Sequence, residues 1–184
     1  MSFDLEEFRR EVLAHVRAAI EADGDIRPVA FLALVSDEHG RPLPHFQIQA
    51  IVKADGFGDE ADKDVFVALI RRAAAGSGAV AAAFASTAWA VRLPKAAAED
   101  TRREACRHGS IEAHPERVEI ALVVLEARLP AERECYMANI LRSDNVARVA
   151  AWEGMDAGFA GRFAGLLGPP VAPQRTRPRK ARLH

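Results

Sequence analysis

Apolar residues recur along this chain with two periods, and the switches between them set out its elements. Leu5, Phe8, Val12, Val16 and Ala19 fall at three- and four-residue steps, one stripe of a helix. Asp4 with Glu7 resembles a capping box, and Gly24 supplies a stop. Val29 to Val35 is apolar on both faces and bounded by Pro28 and Asp37-Glu-His-Gly40, the pattern of a central strand. Phe46, Ile48, Ala50 and Val52 alternate with Gln47 and Gln49, which predicts a strand with one wet face. After the loop Asp55-Gly-Phe-Gly58 a second helix is expected, with Val65, Phe66, Leu69, Ile70 and Ala73 as its buried stripe. Asp62 and Asp64 near its start and Arg71 and Arg72 near its end suit the helix dipole, and Gly76-Ser-Gly78 ends it.

The stretch Ala79 to Arg92 carries conflicting signals. Its alanines favour helix, whereas the Gly-Ser-Gly before it and Thr-Ala-Trp-Ala-Val at its end favour strand, and a strand is predicted. Residues 93–116 hold no strand pattern, and a helix over Ala96 to Arg107 has only a thin apolar face. Arg117 to Arg128 is the strongest strand in the chain. Cys135 to Leu141 and Val146 to Trp152 are expected to pair as a hairpin across Ser143-Asp-Asn145. A last helix is predicted over 154–167, carrying Phe159, Phe163, Leu166 and Leu167 on one side. Its glycines, Gly158, Gly161 and Gly165, each cost about 1 kcal/mol relative to alanine, so it needs a surface to dock on.

The order α-β-β-α-β-loop-β-β-β predicts one α+β domain over residues 1–168. It has a mostly antiparallel sheet of about six strands, its second half a meander, with helices packed on one face. Residues 169–184 are proline- and arginine-rich and expected to be disordered.

Charge supports that division. The 184-residue chain has a net charge of −1, but Arg175, Arg177, Arg179, Lys180 and Arg182 sit together near its end. Without those five of its 25 basic residues the body holds 26 acids, a net −6. No window approaches the ~18 uninterrupted apolar residues of a membrane span, and the acidic N-terminus is unlike a signal peptide. Cys106 and Cys135 form no C-x-x-C pair and read as free thiols. A soluble, cytoplasmic protein is expected.

Chemistry is sparse. The run Glu112-Ala-His114-Pro-Glu-Arg117-Val-Glu119 sets acid, imidazole and guanidinium beside a long loop. One reading makes His114 a general base oriented by a carboxylate, with Arg117 gripping an anion and Trp89 beside the site. The other is structural: Pro115 sets the start of the strand, and Arg117 and Glu119 form an ion pair on one face of it. His108 and His114 form a poor metal pair, because nothing in their spacing fixes two imidazoles on one face. Ser86, Ser110 and Ser143 lack a nucleophile elbow, the glycine pairs are too short for a dinucleotide fingerprint, and no cofactor is implied. Trp89 and Trp152 close apolar strands and are expected in the core. Only the basic tail suits nucleic acid, and without interleaved aromatics it reads first as a solvated segment.

Ser86-Thr-Ala-Trp89, His114-Pro-Glu-Arg117-Val-Glu119, Tyr136-Met-Ala-Asn-Ile-Leu-Arg142 and Trp152 together resemble a group of small uncharacterised bacterial and phage proteins. In that group a strand ends in Ser-Glu-Ala-Trp, and His/Asp-Pro-x-Arg-x-Glu opens the next. The resemblance spans roughly residues 28–153 and implies the strand at 79–91 but no activity. Thr87 stands where the pattern has glutamate.

The expectation is therefore a non-catalytic binding or assembly protein acting on a protein partner or on itself. A weak homodimer would form through the 154–167 helix or the face of residues 45–52. The alternatives are a small hydrolase-like enzyme centred on His114, Arg117 and Glu119, with Glu112 nearby, and a weakly nucleic-acid-associated protein using its tail.

Overall fold

The computed structural model describes residues 3–53, 55–91, 114–128, 131–144, 146–155, 163 and 165–168. Helix α1 spans Leu5–Asp23 and is bounded as its sequence demands. Asp4 accepts a hydrogen bond from the Glu7 N–H, and Gly24, at φ +81°, donates its N–H to the Ile20 carbonyl. Strands β1 (Val29–Ser36) and β2 (Pro42–Val52) follow, then α2 (Glu60–Ser77) and β3 (Ala81–Val91). Strands β4 (Arg117–Arg128), β5 (Ala131–Ser143), β6 (Val146–Val149) and β7 (Glu153–Met155) complete the described elements. The strands form one antiparallel sheet in the order β2-β1-β3-β4-β5-β6, with β7 also on β5. The expected α+β class and second-half meander are both present.

The two described helices lie on opposite faces, which corrects the expectation of one covered face. Successive strand residues point to opposite sides of a sheet, so the two cores separate by parity. Val29, Phe31 and Ala33 of β1, Ala81, Ala83 and Ala85 of β3, and Val123 and Leu125 of β4 pack with Phe8, Val12, Val16 and Ile20 of α1. Ala30, Leu32, Ala82 and Phe84 turn the other way and pack with Phe66, Ile70 and Ala74 of α2. Strands apolar on both faces require two covers, and a helix at each end of the β1-β2 hairpin provides them. Alanine dominates β3 because both faces of that strand are packed.

The buried side of α2 is also rotated from the expected stripe. Phe66, Val67, Ile70 and Ala74 are buried, while Val65 and Leu69 are 68% and 49% exposed. Spacing alone allows either line of i, i+4 residues to face inward, and docking over Phe84 selects the one through Phe66 and Ile70. On β2 the parity holds but both faces carry apolar residues: Phe46 and Ile48 pack toward α1, and Ile51, of opposite parity, packs toward α2.

The expected hairpin forms, with Asp144 at φ +50° in its turn. Between the pairs Met137↔Glu153 and Ile140↔Val149, two residues of β5 face three of the opposite arm, a one-residue bulge. Helix α1 guards that outer edge: Glu21 accepts the Val149 N–H, and Arg17 donates to the Ala150 carbonyl.

The start of the expected 154–167 helix is strand β7 instead. Phe163 stacks on Phe84 at 3.7 Å and 4°, and Leu166 and Leu167 are buried in the α2 core. Glu126 accepts the N–H groups of Gly165 and Leu167, and Arg128 bridges the carbonyls of Ala79 and Leu167. These apolar residues thus dock on the chain's own sheet. Phe159 and the tail lie outside the described residues. Among those described, no helix is long and apolar enough to cross a membrane.

Candidate functional site

Strand β3 is longer than its neighbour on one side. Its pairing with β1 stops at Val29↔Ala85, whereas its pairing with β4 continues to Val91↔Arg117. The chain before β1 leaves the sheet: Gly24 ends α1, and Asp25 holds the Ile26 N–H and the Thr87 hydroxyl, the latter at 2.7 Å. Residues 86–91 therefore have an edge with no strand beside it among the described residues.

Parity identifies which backbone groups face that edge. The Arg128 N–H bonds the Val80 carbonyl, so even-numbered residues of β3 address β4 and odd-numbered ones address β1. The N–H and C=O groups of Thr87, Trp89 and Val91 consequently point outward. No described residue forms a backbone hydrogen bond to them there.

This edge lines a cleft of about 930 Å³. One wall is the α1–β1 connection, Asp25 to Pro28. The other is Asp55 to Phe57 with Glu60 and Lys63 from the first turn of α2. The lining carries four carboxylates (Asp25, Asp55, Glu60, Glu119) against two cations (Arg27, Lys63). Phe57 contributes an aromatic wall that continues inward through Phe66 and Phe84.

Trp89 is 39% exposed, which corrects its expected place in the core. Core packing from α1 ends near Ala85, and the ring beyond it takes the Arg117 guanidinium at 5.0 Å from its centroid. Trp152, by contrast, packs against the α1 core.

The expected pair Arg117–Glu119 does not form. Glu119 instead receives both arms of Arg142 at 2.6 Å each, and hydrogen bonding to that carboxylate raises the arginine's pKa. Residues two apart in a strand share a face, but β5 brings Arg142 to that face in a fork geometry that Arg117, drawn over Trp89, does not offer. Arg142 also lies beside Gly24, where it supplies the positive charge that the last turn of α1 lacks.

His114 is buried, its Nδ1 accepts the Glu116 N–H at 3.1 Å, and its carbonyl accepts the Arg117 N–H. These bonds form the turn that starts β4. Of His114, Arg117 and Glu119, only Glu119 lines the cleft. Glu112 and His108 lie outside the described residues, as do Arg175, Arg177, Arg179, Lys180 and Arg182. Among the described residues no three potential metal ligands come together.

Sequence reasoning picked out Trp89 and Glu119, and named Thr87 and Arg142 only within the motifs of the resemblance, but missed Asp25 and the open edge itself. A signal for the edge was present: two neighbouring strands of unequal predicted length, 29–35 and 79–92, the shorter preceded by proline.

Comparisons with protein-family models, curated proteins and solved structures gave no match for this chain.

Proposed function

We propose that this protein is a non-catalytic binding protein that takes up an extended polypeptide segment as an added strand on the open edge of β3. The observation that carries this reading is the overhang of β3 past β1. It leaves the backbone groups of Thr87 and Trp89 facing a cleft of about 930 Å³, with those of Val91 further along the same edge. Strand addition draws affinity from main-chain hydrogen bonds and selectivity from pockets for alternate side chains. Trp89 and Glu119 on the α1 face, and Phe57 and Lys63 on the α2 side, supply contacts for both sets of side chains.

The test is a screen of twelve-residue peptides against the chain with its two tryptophans replaced by 5-fluorotryptophan. Binding at the edge shifts the fluorine resonance of Trp89 and leaves that of Trp152 in place. The matching variant is Thr87→Pro. Its lost N–H faces the open edge, so the ladder to β4 survives while the edge loses a donor. Peptides that move Trp89 in the wild type and not in a folded Thr87→Pro chain support the reading. Peptides that bind both equally, or a library with no binder, overturn it.

A further inference from the structure

Resting on that reading, we propose that the open edge of β3 is occupied by the chain's own arginine-rich segment, Gln174 to Lys180, which competes there with other segments. Three observations on separate parts of the molecule point to it.

The first is period. Arg175, Arg177 and Arg179 are spaced by two residues, so in an extended chain all three side chains share one face. Pro178 has the opposite parity. When the arginine N–H groups turn toward β3, Pro178 turns its missing donor to solvent, the one position where an added strand tolerates proline. The second is charge. Without the five basic residues near the chain's end the body carries a net −6, and Asp25 and Asp55 line the cleft beside Glu60 and Glu119, which are already paired with Lys63 and Arg142.

The third is reach. Arg128 ties Leu167 to Ala79, at the far end of β3 from the cleft. Ala79 to Thr87 is eight residues of nearly extended chain, or ~26 Å. From Gly168 to Arg177 the chain spans up to ~30 Å when extended. Arg177 and Arg179 therefore reach the open part of the edge. Tethering gives the segment an effective concentration of about a millimolar, so even a weak intrinsic contact holds the site against dilute competitors.

The test compares the full chain with its Arg175→Ser/Arg177→Ser/Arg179→Ser variant, both carrying 5-fluorotryptophan, titrated with a synthetic peptide of residues 173–184. The variant is expected to bind the peptide with a shift at Trp89, and the wild type at least tenfold more weakly, because its own segment already fills the edge. N-methylation of the peptide at Arg177 is expected to abolish binding, and N-methylation at Thr176 to leave it within about twofold, since only one parity faces β3. Equal binding to the two chains, or equal effects of the two N-methyl groups, overturns the proposal. If the variant binds screened peptides but not the tail peptide, the open edge stands as a binding site and only this occupant is excluded. If it binds neither, both readings fall.

Discussion

Replacing Phe163 by alanine tests whether the segment after β7 belongs to the chain's own core. The Phe163 ring stacks on Phe84 at 3.7 Å and 4° and lies 5.9 Å from Phe57. Truncating a fully buried phenylalanine costs about 3–5 kcal/mol. Phe163 is half-buried, so roughly half of that, about 2 kcal/mol, applies to the lost area. The aromatic pair adds ~0.5–1 kcal/mol. The expected loss is then about 2.5–3 kcal/mol, partly because Phe84, wholly buried in the native protein, becomes exposed on one face. With an m-value near 2 kcal/mol/M in urea for a chain of this size, the midpoint falls by about 1.2–1.5 M. The assay is urea unfolding followed by circular dichroism at two protein concentrations tenfold apart. Val65→Ala, at a site 68% exposed, serves as the control and should change stability by less than ~0.5 kcal/mol. A loss below about 1 kcal/mol would refute the stacking argument. A loss that depended on protein concentration would place the ring against a second copy instead.

Two further predictions concern titration. The Gly58 N–H and then Lys53 hold the Asp62 carboxyl below its ordinary value of 3.8. A lowered pKa contributes stability above the unfolded value that is lost as pH falls through the folded one. Wild type should therefore exceed Asp62→Asn in urea midpoint at pH 7, and the gap should shrink as the pH falls below 3.8; a gap that stays constant throughout the acid limb would sink the assignment. Burial pushes the Cys135 thiol from 9.0 up to about 11, so its contribution is present below pH 9 and lost as pH rises through 11. At pH 8 iodoacetamide should leave the Cys135 peptide unmodified in the native protein and modify it in urea, as read by mass spectrometry; rapid native alkylation would contradict the burial.

Local chemistry already determined most of the elements. Asp4, Glu7 and Gly24 bound α1 because caps satisfy backbone groups within a few residues, and those rules act before any tertiary contact forms. Uninterrupted apolar runs at 29–35 and 120–125 identified the central strands, since only strands covered on both sides tolerate them. The pattern could not say which side each helix takes: α2 reaches its face by a crossover whose landing depends on the whole sheet. Nor could it choose between the Val65–Leu69 and Phe66–Ile70 lines of α2, because both satisfy the helical period and only contact with Phe84 separates them. The partner of Glu119 was hidden for a related reason. Arg117 is two residues away in sequence, but Arg142 arrives from a strand 23 residues on with the better geometry. The open edge of β3 is a purely tertiary feature. The chain before β1 leaves the sheet at Asp25, whose carboxylate accepts the Thr87 hydroxyl, so hydrogen-bonding groups with an ordinary strand sequence are left facing a cleft.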